Sequence, residues 1–430
     1  MRRLVVIGAG TAGTMVVNKL RRKLPAREWS VTVVDPATEH FYQPGFLFLP
    51  FGIYPDRKVR KPLAPRIRSG VELVRAAVER VDRQAREVVL DTGDRLPYDY
   101  LVIASGTTPR PAETPGLAEA MGDKVHEFYT HAGATALAAA LAGFEGGHLV
   151  VHVAEMPIKC PVAPLEFAFL ADAYLARRGI RDRVRLTYVT PLPGAFTKPI
   201  SAAYLGDMLE RRDIALEPDF VVESVDGDAQ LLRSYDEREV PYDLLVTVPV
   251  NMGADYVGRS GLGDELGFVP VDRHTLLAKA DDRIFAIGDA SDVPTSKAGS
   301  VAHFEADVFV PNFLAHVEGR PMRESFDGHA NCFVESGRGK GLLIDFNYDT
   351  EPLPGTYPVP GVGPMRLLRE TRLNHWGKLA FRHLYWHMLL PGRRLPVPTH
   401  MSMAGKRRPP AAPDAPRPGA APDIRVPADF

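Results

Sequence analysis

The turn Gly8-Ala-Gly10-Thr-Ala-Gly13 narrows what this chain can fold into more than any other feature. It follows a short apolar run, Leu4 to Ile7, that suits a parallel strand buried on both faces, and it precedes a helical stretch reaching Leu20. Each glycine then has a mechanical task. Gly8 makes the tight turn, Gly10 lets the backbone approach a pyrophosphate, and Gly13 lets helix and strand pack closely. The helix N-terminus faces the anion. A second strand, Ser30 to Val34, ends at Asp35, 22 residues beyond Gly13, where a carboxylate hydrogen-bonds an adenosine ribose. A dinucleotide-binding unit is therefore expected at the N-terminus.

Later apolar runs repeat the pattern: Leu101 to Ala104, Leu149 to Val153, Arg185 to Val189, Leu244 to Val248 and Ile284 to Ile287. Strands spaced by helical segments predict an α/β chain with mainly parallel sheets. At about 150 residues per domain, 430 residues predict two or three domains. The expected division is a discontinuous first nucleotide-binding domain (residues 1–110 and 280–325), a second Rossmann-like domain (111–279), a C-terminal region (326–403) and a disordered tail (404–430) rich in Pro and Ala. A large-scale duplication, with the second nucleotide-type fold opening near Leu149, follows from the same pattern.

Composition removes several classes of function. With 52 basic against 53 acidic side chains, the chain is not a generally basic nucleic-acid binder. Two cysteines, Cys160 and Cys332, are too few for a disulfide scaffold or a four-cysteine metal site, and no metal is expected. No stretch reaches the roughly 18 apolar residues needed to span a bilayer. The opening Met-Arg-Arg-Leu-Val-Val-Ile is too short for a signal peptide.

Two further strand ends decide which dinucleotide is bound. Leu101-Val-Ile-Ala-Ser-Gly106-Thr-Thr-Pro109 and Arg283-Ile-Phe-Ala-Ile-Gly288-Asp289 join the N-terminal turn in resembling the FAD signatures of the flavoprotein disulfide reductase superfamily. That resemblance implies that Asp289 holds the flavin's ribityl chain and that the following helix points at the isoalloxazine. After Leu149 to Val153, a relative using NAD(P)H would show a second glycine turn. This chain instead reads Ala154-Glu-Met-Pro-Ile-Lys-Cys160-Pro-Val-Ala-Pro164-Leu-Glu166. Prolines supply no backbone N–H to a phosphate cradle, so a pyridine nucleotide fits poorly here.

The Cys-Pro-x-Ala-Pro-x-Glu run closely resembles the sulfide:quinone oxidoreductase family and the related flavoprotein of flavocytochrome c sulfide dehydrogenase. The likeness extends to about Leu395, with His40-Phe-Tyr-Gln-Pro-Gly45 and Phe48-Leu-Pro-Phe-Gly52 matching an early loop. It implies FAD-dependent oxidation of sulfide to zero-valent sulfur or polysulfide, with reduction of a membrane quinone. Cys160 and Cys332 would be the bridged pair beside the flavin, and Glu166 a proton carrier. Hydrosulfide attack on a bridging sulfur leaves a persulfide and a thiolate, which can pass two electrons to FAD. Many bacterial members carry a third cysteine that bonds the flavin; Val125 to His131 has none, so FAD is expected to be non-covalent. His131 and Lys198 are minor proton-carrier candidates, and Lys297 is placed to meet flavin or quinone oxygens. The rival readings are a type II NADH:quinone oxidoreductase, a flavoprotein serving a haem partner, and a persulfide carrier or redox sensor without turnover.

From Arg366 to Leu390 a helical stretch carries Trp376, Tyr385 and Trp386 on a wide apolar face among basic residues. Such a segment, too short to span, is expected to lie at an anionic lipid surface. The resemblance puts the quinone pocket there, with Lys378 and Phe381 as contacts and Phe346 and Tyr348 as weaker ones. The expected fold is thus α/β, two Rossmann-like dinucleotide-binding domains with a C-terminal membrane-interface helical segment. The protein would be peripheral at an inner or cytoplasmic membrane, and a homo-oligomer stays open.

Overall fold

Every apolar run read as a strand is one, to within two residues at either end. The computed structural model describes residues 1–408 except residue 396. A first sheet of five parallel strands runs Ile284–Ala286, Tyr100–Ile103, Arg2–Ile7, Trp29–Val34, Glu72–Val74. A second runs Val125–His126, Leu244–Val248, Gly147–Val153, Val184–Val189, Ile214–Glu217, also all parallel. In each half a three-stranded antiparallel meander follows the outermost strand, residues 78–97 in the first and 222–241 in the second. This matched layout is the duplication expected from sequence. The chain leaves the first sheet and returns to it through one antiparallel pair, Thr108–Arg110 with Val250–Met252.

Backbone sterics hold the N-terminal turn. Gly8 has φ +97°, and a Cβ on it would stand 2.5 Å from the Ala104 carbonyl oxygen. Helix α1 (Thr11–Leu20) crosses so closely that a Cβ on Gly13 would meet the Gly8 oxygen at 1.8 Å. Three further helices follow, α2 (His131–Gly143), α3 (Ala163–Arg177) and α4 (Gly299–Val317), and the last two line the cavity at the sheet ends. The tops of α3 and α4 approach one another because Cys160 N–H, just before α3, donates to the Lys297 carbonyl, just before α4 (2.8 Å).

The C-terminal region is a four-stranded sheet ordered Ala330–Gly337, Lys340–Phe346, Gly363–Leu367, Gly355–Val359, covered by helix α5 (Arg372–Leu384). Ala330–Gly337 is its edge strand, flanked by α3 on one side and α5 on the other. Gly337 and Gly377 permit this, since a Cβ would meet the Phe169 carbonyl oxygen at 2.7 Å and the Phe333 ring at 2.7 Å respectively.

The helix expected from Arg366 starts later. Gly363–Leu367 is drawn into the sheet, Leu368 turns the chain at φ +46°, and Thr371 caps α5 by accepting from Asn374 N–H (3.0 Å). Residues 404–408, expected to belong to the tail, are also held. The Lys406 ammonium pairs with buried Asp345, and Thr356 N–H donates to the Gly405 carbonyl (3.0 Å). The rest of the expected tail, 409–430, lies outside the described residues. Forcing a branched side chain into the first turn should show at once. Gly13→Val overpacks the contact with Gly8 at a cost of about 1–3 kcal/mol, so it is expected to lower the melting temperature and to purify with little bound flavin, measured by the visible absorbance per protein.

Candidate active site

The carboxyl ends of the first sheet open into a cavity of about 320 Å³. Gly8, Gly10, Asp35, Ser105, Gly106, Gly288, Asp289 and Lys297 line it from the first domain, with the start of α4 at Ala298 and Gly299. Cys160 and Glu166 line it from the second domain, and Lys378 from α5. Asp35 is fixed by accepting from Ala9 N–H (2.6 Å) and Ala37 N–H (2.8 Å). The Asp289 carboxylate takes no hydrogen bond from any described residue, and burial pushes it up. A glycine turn before a helix, a tethered carboxylate at the next strand end and an unpartnered carboxylate facing the cavity fit the pyrophosphate, ribose and polyol of FAD. Lys297 anchors the Gly288-Asp289 turn instead of standing free: its ammonium donates to the carbonyls of Asp289 (3.1 Å) and Ser291 (2.7 Å) and lies over the Phe268 ring.

Cys160 sits in the left-handed region, φ +46°, a conformation that costs a non-glycine residue roughly 1–3 kcal/mol and marks functional turns. Its carbonyl accepts from Ala163 N–H (2.8 Å) and from the Tyr129 hydroxyl (3.4 Å). Cys332, on the edge strand, is buried, with the hydroxyls of Ser300 and Ser296 at its thiol. Both thiols are free, and Cys332 lies near enough to act on Cys160. Burial raises both, Cys332 to about 11 and Cys160 further, with Glu166 adding to the rise and Lys378 opposing it.

Glu166 and Lys378 form the centre of the site. The Lys378 ammonium donates to Glu166 Oε1 (2.5 Å) and to the Phe333 carbonyl (2.8 Å), while Glu335 N–H donates to the same Glu166 oxygen (2.5 Å). An ion pair thus satisfies the open hydrogen-bonding edge of the strand carrying Cys332. Burial works to lower Lys378, and the charges of Glu166, Cys160 and Glu335 outweigh it, so the ammonium is held above its ordinary value. Glu166 is pushed up by burial against the pull of Lys378. Its second oxygen, Oε2, is buried without a partner among the described residues.

The structure brings together Cys160, Cys332, Glu166, Lys378 and the expected flavin contacts. It does not bring Phe346 or Phe381 to this cavity: Phe346 lies in the core and Phe381 packs half-buried on α5. Tyr348 donates to the Arg273 carbonyl (2.9 Å), away from the site. His131 opens α2 and pairs with Asp56 (2.5 Å) between the rings of Phe41 and Phe46, and Lys198 precedes a helix outside the lining. Among the lining residues that sequence reasoning did not assign are Tyr129 and Lys159. Lys159 reaches Gln43 Oε1 (3.2 Å) and the Tyr129 carbonyl (3.4 Å). Its place beside Cys160 was the available signal.

The C-terminal helix also differs in which aromatics it exposes. Tyr385 and Trp386 are buried, because Tyr385 shares its hydroxyl with His40 Nε2 (2.6 Å) and Thr11 Oγ1 (2.8 Å), and Trp386 packs on His40 under Lys61. The exposed ridge is Leu373, Trp376 and Leu384, with Trp376 63% exposed. Val359 and Val362 add to the apolar surface on the neighbouring hairpin. Among the described residues no helix is long and apolar enough to cross a membrane.

Known proteins share this fold. The chain is 27% identical to the mitochondrial sulfide:quinone oxidoreductase of Dictyostelium discoideum over 91% of this chain and 86% of that one. It is 26% identical to the mouse (Mus musculus) mitochondrial sulfide:quinone oxidoreductase, over 90% and 86%. Among solved structures, the sulfide:quinone oxidoreductase of Aquifex aeolicus superposes with a TM-score of 0.78 at 21% identity, covering 91% of this chain and 92% of that one, a likeness of fold. Residues 2–306 match the family model described as pyridine nucleotide-disulphide oxidoreductase. The chain belongs to the pyridine nucleotide-disulphide oxidoreductase family and is an FAD-binding oxidoreductase.

Proposed function

We propose that this protein oxidises sulfide to zero-valent sulfur and passes the electrons through non-covalent FAD to a quinone at a membrane surface. One observation carries the reading: Cys160 opens into the flavin cavity while sharing the Glu166–Lys378 pair with Cys332. The relatives named as sulfide:quinone oxidoreductases support it. FAD, when bound, supplies the two-electron acceptor. The chain's own residues do the rest. A bridged Cys160–Cys332 pair accepts hydrosulfide on one sulfur and releases the other as a thiolate, which the Lys378 ammonium stabilises. The unpartnered Oε2 of Glu166 takes the proton that hydrosulfide brings. The apolar ridge of α5, with Arg372 beside it, suits an anionic lipid surface from which a quinone approaches.

The NADH reading loses on backbone chemistry. At the second sheet's first turn four amides are already committed, Ala154 N–H to Val248 O, Lys159 N–H to Asn251 Oδ1, Cys160 N–H to Lys297 O and Ala163 N–H to Cys160 O, and Pro157, Pro161 and Pro164 carry none. That leaves a pyrophosphate a much poorer N–H cradle than a glycine turn offers.

Cys160→Ser and Cys332→Ser are each expected to abolish sulfide-dependent quinone reduction while FAD content per protein stays normal; activity retained in either would remove the paired-sulfur mechanism. Glu166→Gln should slow turnover by about 10²–10⁴-fold, the range for losing a general base. The thiol environment makes a separate claim. A raised thiol pKa keeps the neutral form below it and releases thiolate only as pH rises, so the reduced protein at pH 7 should react with iodoacetamide roughly 100-fold or more slower than free cysteine near 8.5. Mass spectrometry of each alkylated cysteine against pH should show both rates climbing up to pH 10.

A further inference from the structure

A second cavity, of about 490 Å³, lies between the C-terminal sheet and Tyr204 on the helix Pro199–Glu210, and the proposed sulfide chemistry makes no use of it. Arg366, Arg369, Lys406 and Arg407 line it, and no acidic side chain does. Three separate stretches of backbone bring these cations together. Arg366 stands on the strand Gly363–Leu367, opposite Thr356 on the neighbouring strand of the same hairpin. Arg369 follows the left-handed turn at Leu368, φ +46°, and its charge reaches the Tyr204 hydroxyl. Arg407 arrives on a segment laid along the hairpin. Its N–H donates to the Pro354 carbonyl (2.8 Å), and the close approach needs Gly355, where a Cβ would stand 2.2 Å from the Gly405 oxygen. Lys406 pins that segment, because its ammonium is committed to buried Asp345.

The arginines carry no such commitment. Among the described residues the guanidiniums of Arg366, Arg369 and Arg407 have no carboxylate partner, and the adjacent acid, Glu370, pairs with Arg212 (2.7 Å). Three like charges gathered at one cavity repel one another, and a bound anion offsets that cost. A guanidinium fork matches two phosphate oxygens at once, which a lysine cannot do. The surroundings name the source of the phosphate. Gly361, in the turn of the hairpin, lines the cavity, while Val359 and Val362 at the same turn are exposed, Val362 by 73%. An apolar tip beside a cationic hollow suits a molecule that is acyl chain at one end and phosphate at the other. We infer that this cavity is a binding site for the phosphate headgroup of an anionic phospholipid, held by Arg366, Arg369 and Arg407. The inference rests on the membrane-surface part of the proposed function and gives that surface a lipid preference.

Sedimentation of the full-chain holoprotein with vesicles tests it. Vesicles of phosphatidylcholine alone are compared with vesicles that also contain phosphatidylglycerol, whose phosphodiester carries an uncompensated charge. The parent protein should bind the second kind more tightly. The double substitution Arg366→Lys with Arg369→Lys keeps the charge and removes the forks. General attraction to a charged surface then predicts no change, whereas the headgroup site predicts that the preference falls about tenfold or more. Arg372→Lys, on α5 and outside the cavity, should leave the preference intact. Flavin content and melting temperature should match the parent in both variants, which separates a lost site from a lost fold. Equal binding of the parent to both vesicles, or an unchanged preference in the double variant, would overturn the headgroup site and leave the membrane reading standing. A parent protein that sediments with neither vesicle would remove the membrane reading and the lipid source with it. Glycerol 3-phosphate in lipid-free buffer separates the two sources of phosphate. Saturable binding there, lost in the double variant and accompanied by no preference for phosphatidylglycerol, would make the ligand a soluble phosphate ester and overturn the lipid assignment.

Discussion

The ion pair between Glu166 and Lys378 holds the site together. It joins three parts of the chain far apart in sequence: the helix after the Cys160 loop, the strand bearing Cys332, and the C-terminal helix. Edge strands expose open backbone groups, and here a carboxylate takes the N–H of Glu335 while an ammonium caps the carbonyl of Phe333. Losing one member of such a pair leaves a buried charge, a penalty of about 3–5 kcal/mol. The arrangement is thus a poor way to gain stability and a good way to keep two sulfurs, an acid and a cation at one end of the flavin cavity. It also explains why the cysteines carry raised thiols: the cation offsets only part of what burial imposes.

A second tie connects the C-terminal segment to the cofactor. Tyr385 reaches back to Thr11 in the first turn of α1 and to His40, whose Nδ1 lies 3.2 Å from the Ala9 carbonyl. Asn18 holds the Leu390 carbonyl from the same helix (2.7 Å). The segment that carries the exposed apolar ridge is therefore braced directly on the dinucleotide turn. Whatever docks on Trp376 and its neighbours docks on an element rigidly coupled to the flavin site.

Much of this was readable in the residues. Alternating buried strands and the glycine turn state their geometry locally, because φ, packing distance and apolar runs are properties of neighbouring residues, so the two parallel sheets and the place of Gly8, Gly10, Asp35 and Asp289 on the cavity wall came directly from them. Cys160 was legible because prolines stood where amides were needed. What could not be read were pairings across hundreds of residues. Lys378 read as a quinone contact, and only the fold shows it paired with Glu166. Tyr385 and Trp386 read as interfacial aromatics, since burial against His40 leaves no periodic trace. Lys406 in a Pro-rich stretch read as tail, and a buried Asp345 pulled it onto the sheet.

The central claim is that a sulfur pair, not a nicotinamide, feeds the flavin. The most direct measurement is anaerobic addition of sulfide, and separately of NADH, to the purified yellow protein while following the flavin's visible absorbance. Bleaching or a charge-transfer band with sulfide alone, reversed by a short-chain quinone, is the expected result. Bleaching with NADH alone would contradict it, because it would mean that the turn at Cys160 still admits a pyridine nucleotide.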